Sequence, residues 1–372
     1  MIAVSDYEAE LERIDRDIAA LAPEDVAQAT ALLSLRCQRA SLTGDLAALP
    51  GVEGEIDAAL AEYGTWPDLC VVKAGVASTL HRVADARRAL ELAPGVAQHL
   101  PGRAMLADLD REEGRYEEAL RGYEAALRDE PAWDTYARLA DLTSKLGDVD
   151  AAGDLYAAAV DELTAKQMRS YAWVELQWGR MELRRGRHDD GADHYARASA
   201  AYTGWWLVDE HVAQLLAARG ELETAAALYE DLAARVPKPE LQHAAGDTNA
   251  ALGRPERARP FHDRALAAYR ASAERGEVHY LHHLADACTD AAEAVRWARR
   301  DLELRPNAYT RAALAWALHR AGRSGEALDA IEGALASPLR DARLYAKAAT
   351  IQRAAGRPAE ADDYERRAAA LH

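Results

Sequence analysis

The chain has 372 residues, of which 49% are hydrophobic, and it contains a single phenylalanine. Its apolar residues are dominated by alanine and leucine, which favour closely packed helices over a sheet-rich fold. The 62 acidic and 45 basic residues give a net charge of −17, which argues against a nucleic acid bound through its phosphates and favours a cation or a basic peptide. Three cysteines without CxxC spacing predict neither a disulfide framework nor a thiolate zinc site.

The N-terminal segment predicts helices that cap a larger array. It has no basic start followed by an apolar run, and no segment of the chain approaches the length of a membrane span, so we expect a soluble, cytoplasmic protein with no membrane partner. Residues 1–65 are predicted to form an amphipathic helical hairpin, with "LPGVEG" (49–54) as a break in the helical pattern. These N-terminal helices also offer a surface for a homodimer. Residues 66–100 predict one degenerate helical repeat.

Glycines recur with a period of about 34 residues in the rest of the chain. Their spacings are 33, 39, 34, 33, 69 and 34 residues, and the spacing of 69 is two periods with one glycine missing. The glycines that set this period are Gly114, Gly147, Gly186, Gly220, Gly253, Gly322 and Gly356. A fixed period of this length predicts an array of helical hairpins.

Small and aromatic residues stand at fixed distances from these glycines. The residue seven positions earlier is always alanine or glycine, and the residue twelve positions later is small in six of seven cases. Nine positions after the first four glycines stand Tyr123, Tyr156, Tyr195 and Tyr229. The pattern predicts two antiparallel helices, with small residues where the backbones approach and rings where they diverge.

The pattern resembles the tetratricopeptide repeat family. It is clearest in "RAMLADLDREEGRYEEALRGYEAALRDEP" (103–131) and "TRAALAWALHRAGRSGEALDAIEGALASP" (310–338). The resemblance implies an all-α fold, a right-handed α-solenoid of antiparallel helix pairs, with about eight repeats over residues 101–372. It also implies that the first helix of each repeat lines a concave groove for a peptide or protein partner.

The groove residues follow from the same resemblance, since helical periodicity places about five positions before each glycine on one stripe. Predicted groove residues are Asp108, Asp141, Trp173, Arg180, Glu210, Gln214, Glu240, Tyr309, Trp316, His319 and Arg320. Trp205 and Trp206 are further candidate anchors, and packing is the favoured interpretation for at least one of them.

The stretch "HYLHHLAD" (279–286) lies in the repeat that lacks its glycine. One register places His279, His282 and Asp286 on the groove, with His283 at its edge; the other places His279, His283 and Asp286 there. The preceding repeat adds His243 and Asp247, and the following repeat adds His319.

Imidazoles and carboxylates at helical spacing are ligands of Zn, Fe, Mn, Ni and Cu. Two hypotheses therefore stand. The first is a non-catalytic adaptor that binds a peptide or protein in its groove. The second is a metal-binding protein or metalloenzyme that uses His243, Asp247, His279, His282 and Asp286, with His283 or His319. Motifs of hydrolases, nucleotide-binding loops and zinc proteases are missing from the sequence, which leaves catalysis open.

Overall fold

The computed structural model describes residues 4–93, 95–96 and 100–371, and the described part of the chain is helical without strands. Residues 94 and 97–99 of the predicted degenerate repeat lie outside the described residues. The helices that precede residue 100 are α1 (Asp6–Ala20), α2 (Val26–Thr43), α3 (Leu49–Tyr63), α4 (Pro67–Thr79) and α5 (Val83–Glu91).

The described residues from Leu100 onward form eight consecutive helix pairs. They are α6 (Leu100–Glu112) with α7 (Tyr116–Asp129), α8 (Trp133–Leu146) with α9 (Val149–Asp161), α10 (Met168–Arg184) with α11 (His188–Ala201), α12 (Trp206–Ala218) with α13 (Leu222–Arg235), α14 (Pro239–Ala251) with α15 (Pro255–Glu274), α16 (Leu281–Ala287) with α17 (Ala291–Leu304), α18 (Ala308–Arg320) with α19 (Ser324–Leu335), and α20 (Ala342–Ala354) with α21 (Pro358–Ala369).

The two helices of each pair pack closely because small residues lie opposite large ones. The ring of Tyr195 on α11 covers Gly179 on α10, and a Cβ at Gly179 would collide with that ring. These residues lie seven positions before and nine after Gly186, so the helices run antiparallel. The prediction of antiparallel pairs is confirmed. The fold is a tetratricopeptide-like α-solenoid.

The periodic glycines end the first helices of their pairs. All seven have positive φ, between 69° and 101°, a conformation that glycine adopts without the Cβ clash of other residues. The pair α16/α17 lacks this glycine, and α16 is only seven residues long. The guanidinium of Arg320 instead donates hydrogen bonds to the carbonyl oxygens of Asp286 and Cys288. These bonds satisfy carbonyl groups that the end of a helix leaves unpaired.

The N-terminal helices differ from the sequence prediction in one respect. "LPGVEG" is not a break, because it forms the first turns of α3, with Pro50 near the helix start. Proline is tolerated there, since the amide it lacks would have no helical partner. The side chain of Ile14 on α1 is fully buried, in a cluster that also contains Leu42 of α2 and Trp206 of α12. This part of the apolar N-terminal surface is therefore used within the chain, and the homodimer remains a prediction.

Consecutive superhelical turns of the solenoid contact each other. Several hydrogen bonds join residues 192–197 positions apart. The Tyr202 hydroxyl donates to Glu10 over 2.6 Å, and the Asn307 side-chain amide donates to the Glu112 carbonyl over 2.9 Å. Because the separation is nearly constant along the chain, we infer that about six helix pairs complete one turn.

Within the described residues, no helix is long and apolar enough to span a bilayer.

Candidate functional site

A central cavity of about 2160 Å³ runs through the superhelix. Its wall is built mainly from the first helices of the pairs, which the sequence pattern predicts to face the concave side. Lining residues come from α6, α8, α10, α12, α14, α16, α18 and α20. The cavity is therefore the candidate binding site of the concave face.

The charge of the cavity wall is opposite in sign to the charge of the whole chain. Twelve lining residues are lysine or arginine, and eight are aspartate or glutamate. The chain as a whole has a net charge of −17. Three of the twelve cations pair with carboxylates outside the lining. The wall cations without a carboxylate partner therefore favour an anionic ligand, whereas the overall charge predicts a basic one.

A cluster of positive charge surrounds Asp141 on α8. Lys145 lies 2.6 Å from the Asp141 carboxylate, and Arg111 and Arg184 each lie 3.6 Å from it. Burial alone would raise the pKa of Asp141, but the three cations outweigh burial and hold this pKa below its usual range. Burial also lowers the pKa of Lys145. Arg111 also approaches the Glu112 carboxylate over 3.4 Å. Two carboxylates face three cations, so this cluster retains one excess positive charge.

Four more cations on the cavity wall form no ion pair with a carboxylate among the described residues. They are Arg180, Arg340, Arg343 and Lys347. The Arg180 guanidinium donates to the neutral amide of Gln177 over 2.7 Å. Each of these side chains therefore keeps most of its hydrogen-bonding capacity for a ligand.

Aromatic side chains lie beside these cations. Trp133 and Trp173 meet edge to face with ring centroids 5.9 Å apart, and both line the cavity. Tyr309, which is 40% exposed, lies with its ring centroid 5.9 Å from the Lys145 ammonium nitrogen. Rings of this kind bury much area at low entropic cost.

Six of the predicted groove residues line the cavity and five do not. Those that line it are Asp108, Asp141, Trp173, Arg180, Gln214 and Tyr309. Those that do not are Glu210, Glu240, Trp316, His319 and Arg320. Arg320 donates a hydrogen bond to a carbonyl oxygen at the end of α16. Glu240 pairs with Lys238 over 3.2 Å. The Trp316 and His319 rings lie 5.3 Å apart, against each other.

Two of the predicted metal ligands are brought together, and a third residue that the sequence interpretation missed joins them. The His262 Nε2 lies 2.8 Å from the Asp247 carboxylate, and the His243 Nε2 lies 3.8 Å from it. His262 is nine positions after Gly253, where four other pairs carry tyrosine. That position faces the first helix of its own pair, so the register of the tyrosines could have identified it.

The remaining metal candidates do not join this group. The His279 ring lies 4.1 Å from Tyr280, and the His283 ring is stacked on Tyr269 at 5.5 Å. His282 and Asp286 line the cavity, whereas His279, which both registers place on the groove, does not. Arg320 donates to the backbone carbonyl of Asp286. The Asp286 side chain is exposed.

His282 instead meets His81, a residue of the preceding superhelical turn, with ring centroids 5.6 Å apart. His81 has a left-handed backbone, with φ of 59°. Its Nδ1 and the Nδ1 of His282 are buried without a hydrogen-bond partner among the described residues. Burial lowers the pKa of His81 to about 3 and that of His282 well below its usual value. These imidazoles are therefore neutral at physiological pH.

Trp205 and Trp206 are core residues, and of the two only Trp205 borders the cavity. They are 7% and 4% exposed, and the Trp206 indole donates to the Leu42 carbonyl over 2.8 Å. All three cysteines are free thiols. Burial raises the pKa of Cys37 and that of Cys288 to about 11, which makes these thiols poor nucleophiles.

No protein-family model and no curated protein sequence matches the chain. Among solved structures, it is similar to the crystal structure of the APC/C hetero-tetramer Cut9-Hcn1, with 16% identity and a TM-score of 0.47. That match covers 98% of this chain and 78% of the other. It is also similar to the crystal structure of MamA, with 19% identity and a TM-score of 0.36, over 45% of this chain and 97% of the other. Similarities at this level support no functional conclusion.

Proposed function

We propose that the chain is a non-catalytic scaffold that binds an acidic segment of a protein partner in its central cavity. The observation that carries the proposal is the excess of lysine and arginine on the cavity wall of an acidic chain. Asp141 has three cations within 4 Å of its carboxylate. An acidic side chain that enters the cavity would complete the neutralisation of this cluster.

The size of the cavity favours a peptide over a small molecule. Pockets for small molecules usually enclose about 300–1,000 Å³, and this cavity has about 2160 Å³. The tryptophan pair on α8 and α10 and the Tyr309 ring provide apolar contacts between the charged groups. Alternation of acidic and apolar side chains in a partner segment would match this wall.

The overall charge argues for a short acidic segment over a nucleic acid. A long polyanion would also meet the outer surface of a chain whose net charge is −17, where repulsion opposes binding. A peptide that enters the cavity meets mainly the positive wall. Binding is then expected to weaken as the salt concentration rises.

Reversal of two cavity charges is expected to weaken the binding of an acidic probe. The variant Arg180→Glu/Lys347→Glu removes two unpaired cations, and we expect its affinity for a fluorescein-labelled oligoglutamate to fall by roughly tenfold or more, measured by fluorescence anisotropy. The matched control is Arg121→Glu/Arg300→Glu. It makes the same charge change on α7 and α17, where the two side chains are 63% and 54% exposed. Equal loss in both variants, or in neither, would contradict a site in the cavity.

A further inference from the structure

We propose that His243, Asp247 and His262 form a binding site for a divalent transition-metal ion such as Zn²⁺. One ligand atom from each residue lies within 4.8 Å of the other two, and no other group of three such residues in the described part of the chain meets this condition. His243 and Asp247 stand one helical turn apart on α14, and His262 faces them from α15. The proposal does not depend on the binding of an acidic peptide.

The contact between Asp247 and His262 can be explained by a hydrogen bond alone, without a metal ion. In the pair α6/α7, the Tyr123 hydroxyl donates to the Asp108 carboxylate over 2.6 Å. Asp108 and Tyr123 occupy the positions of Asp247 and His262 relative to the turn glycine. A histidine in place of that tyrosine keeps the polar contact with the aspartate.

His243 is the residue that a hydrogen-bonded pair does not require. The position four residues before Asp247 is alanine in several other pairs, at Ala104, Ala137, Ala312 and Ala346. Here it carries an imidazole whose Nε2 points toward the same carboxylate. The His243 and His262 rings meet at a right angle with centroids 5.6 Å apart, so both Nε2 atoms approach Asp247 from different sides.

The donor set and spacing suit a metal ion. Two imidazoles and one carboxylate are a known ligand set for zinc and for non-haem iron sites with open positions. Bonds of 2.0–2.1 Å in a tetrahedral site place ligand atoms about 3.3 Å apart. The separations of 2.8 Å and 3.8 Å to Asp247 bracket that value. Small side-chain rotations would therefore complete the site without movement of the helices.

The site is accessible and has room for the His262 ring. The Asp247 side chain is 67% exposed, and the side chains of His243 and His262 are 22% and 37% exposed. Gly246 lies beneath the His262 ring, and a Cβ there would collide with the ring. Asp247 also lines the central cavity. A bound ion would thus have three protein ligands and an open position toward the cavity.

The test is a zinc titration of the untagged, metal-stripped full chain against a chromophoric chelator. The key variant is His262→Tyr, which installs the tyrosine that four other pairs carry and leaves a hydrogen-bond donor for Asp247. His243→Gln is an independent second variant. His319→Gln, which changes a histidine beside Trp316, is the control.

The wild type and the control are expected to bind one Zn²⁺ per chain, and each site variant is expected to lose at least tenfold in affinity, since even residues outside the ligand set typically cost about 10–100-fold. Zinc should also raise the thermal unfolding midpoint of the wild type but not of His262→Tyr. The proposal is overturned if the wild type binds no stoichiometric zinc, or if both site variants bind it as tightly as the wild type. Either result leaves the peptide proposal untouched.

Discussion

Replacement of Trp206 by alanine is expected to lower the free energy of unfolding by about 3–5 kcal/mol, the usual cost of truncating a buried tryptophan. Trp206 is 4% exposed and packs in the cluster that contains Ile14 and Leu42 of the N-terminal helices. Its indole N–H donates to the Leu42 carbonyl. The truncation therefore removes apolar contact and a hydrogen bond between two superhelical turns.

Urea unfolding followed by circular dichroism measures this loss. Trp66→Ala is the matched control, because Trp66 is 48% exposed and truncation of an exposed side chain usually changes stability by less than about 0.5 kcal/mol. Trp206→Phe should fall between the two, since it keeps most of the ring area but loses the indole donor. An equal effect of Trp206→Ala and Trp66→Ala would show that the turns do not pack as described.

Acidification from pH 7 to pH 5 is expected to destabilise the protein through two histidines, of which His211 is buried and His81 partly buried. Burial lowers the pKa of His211 to about 3, and the positive charge of Arg180 adds to the effect. Burial also lowers the pKa of His81 to about 3, with Arg305, His279 and His283 adding to it. Both side chains stay neutral in the folded chain at pH 5.

The loss of stability on acidification arises because the unfolded chain binds more protons than the folded chain. The ordinary pKa of these histidines is 6.5, so the unfolded chain takes up protons below that pH while the folded chain does not. Folding stability is complete above pH 6.5 and falls progressively between pH 6.5 and about pH 3. At pH 5 each histidine contributes a loss of roughly 2 kcal/mol, at 1.36 kcal/mol per pKa unit.

The double variant His81→Asn/His211→Gln isolates this contribution. Asparagine tolerates the left-handed backbone at position 81, and glutamine at position 211 retains a donor for the Leu207 carbonyl. We expect a flatter dependence of unfolding free energy on pH between 5 and 6.5, measured by urea unfolding at each pH. The same slope in the variant and the wild type would contradict the neutral state of these residues in the folded chain.

The fold was predictable from local sequence because its rules repeat along the chain. Each turn glycine, with a small residue seven positions earlier and a small one twelve later, specifies a helix pair without reference to distant residues. The same register identifies the first helices as the concave wall, which places Asp108, Asp141 and Arg180 in the cavity.

Contacts between superhelical turns were not predictable in this way. His81 and His282 meet because the rotation per repeat brings residues about two hundred positions apart together, and no short pattern encodes that sum of small rotations. The positive charge of the cavity was also not predictable, because the net charge of the chain sums the acidic outer surface and the basic inner wall. His262 could not be predicted from the groove-facing positions, because it stands on the second helix of its pair and packs toward the first.

The charge of the cavity is tested most directly by a comparison of oligoglutamate with oligolysine as ligands of the wild-type chain at low ionic strength. A positively charged cavity predicts that oligoglutamate binds at one peptide per chain, more tightly than oligolysine, and that added salt weakens the complex. Tighter binding of oligolysine would show that the net charge of −17 governs recognition. That result, or no binding of oligoglutamate, would contradict the proposed role of the cavity.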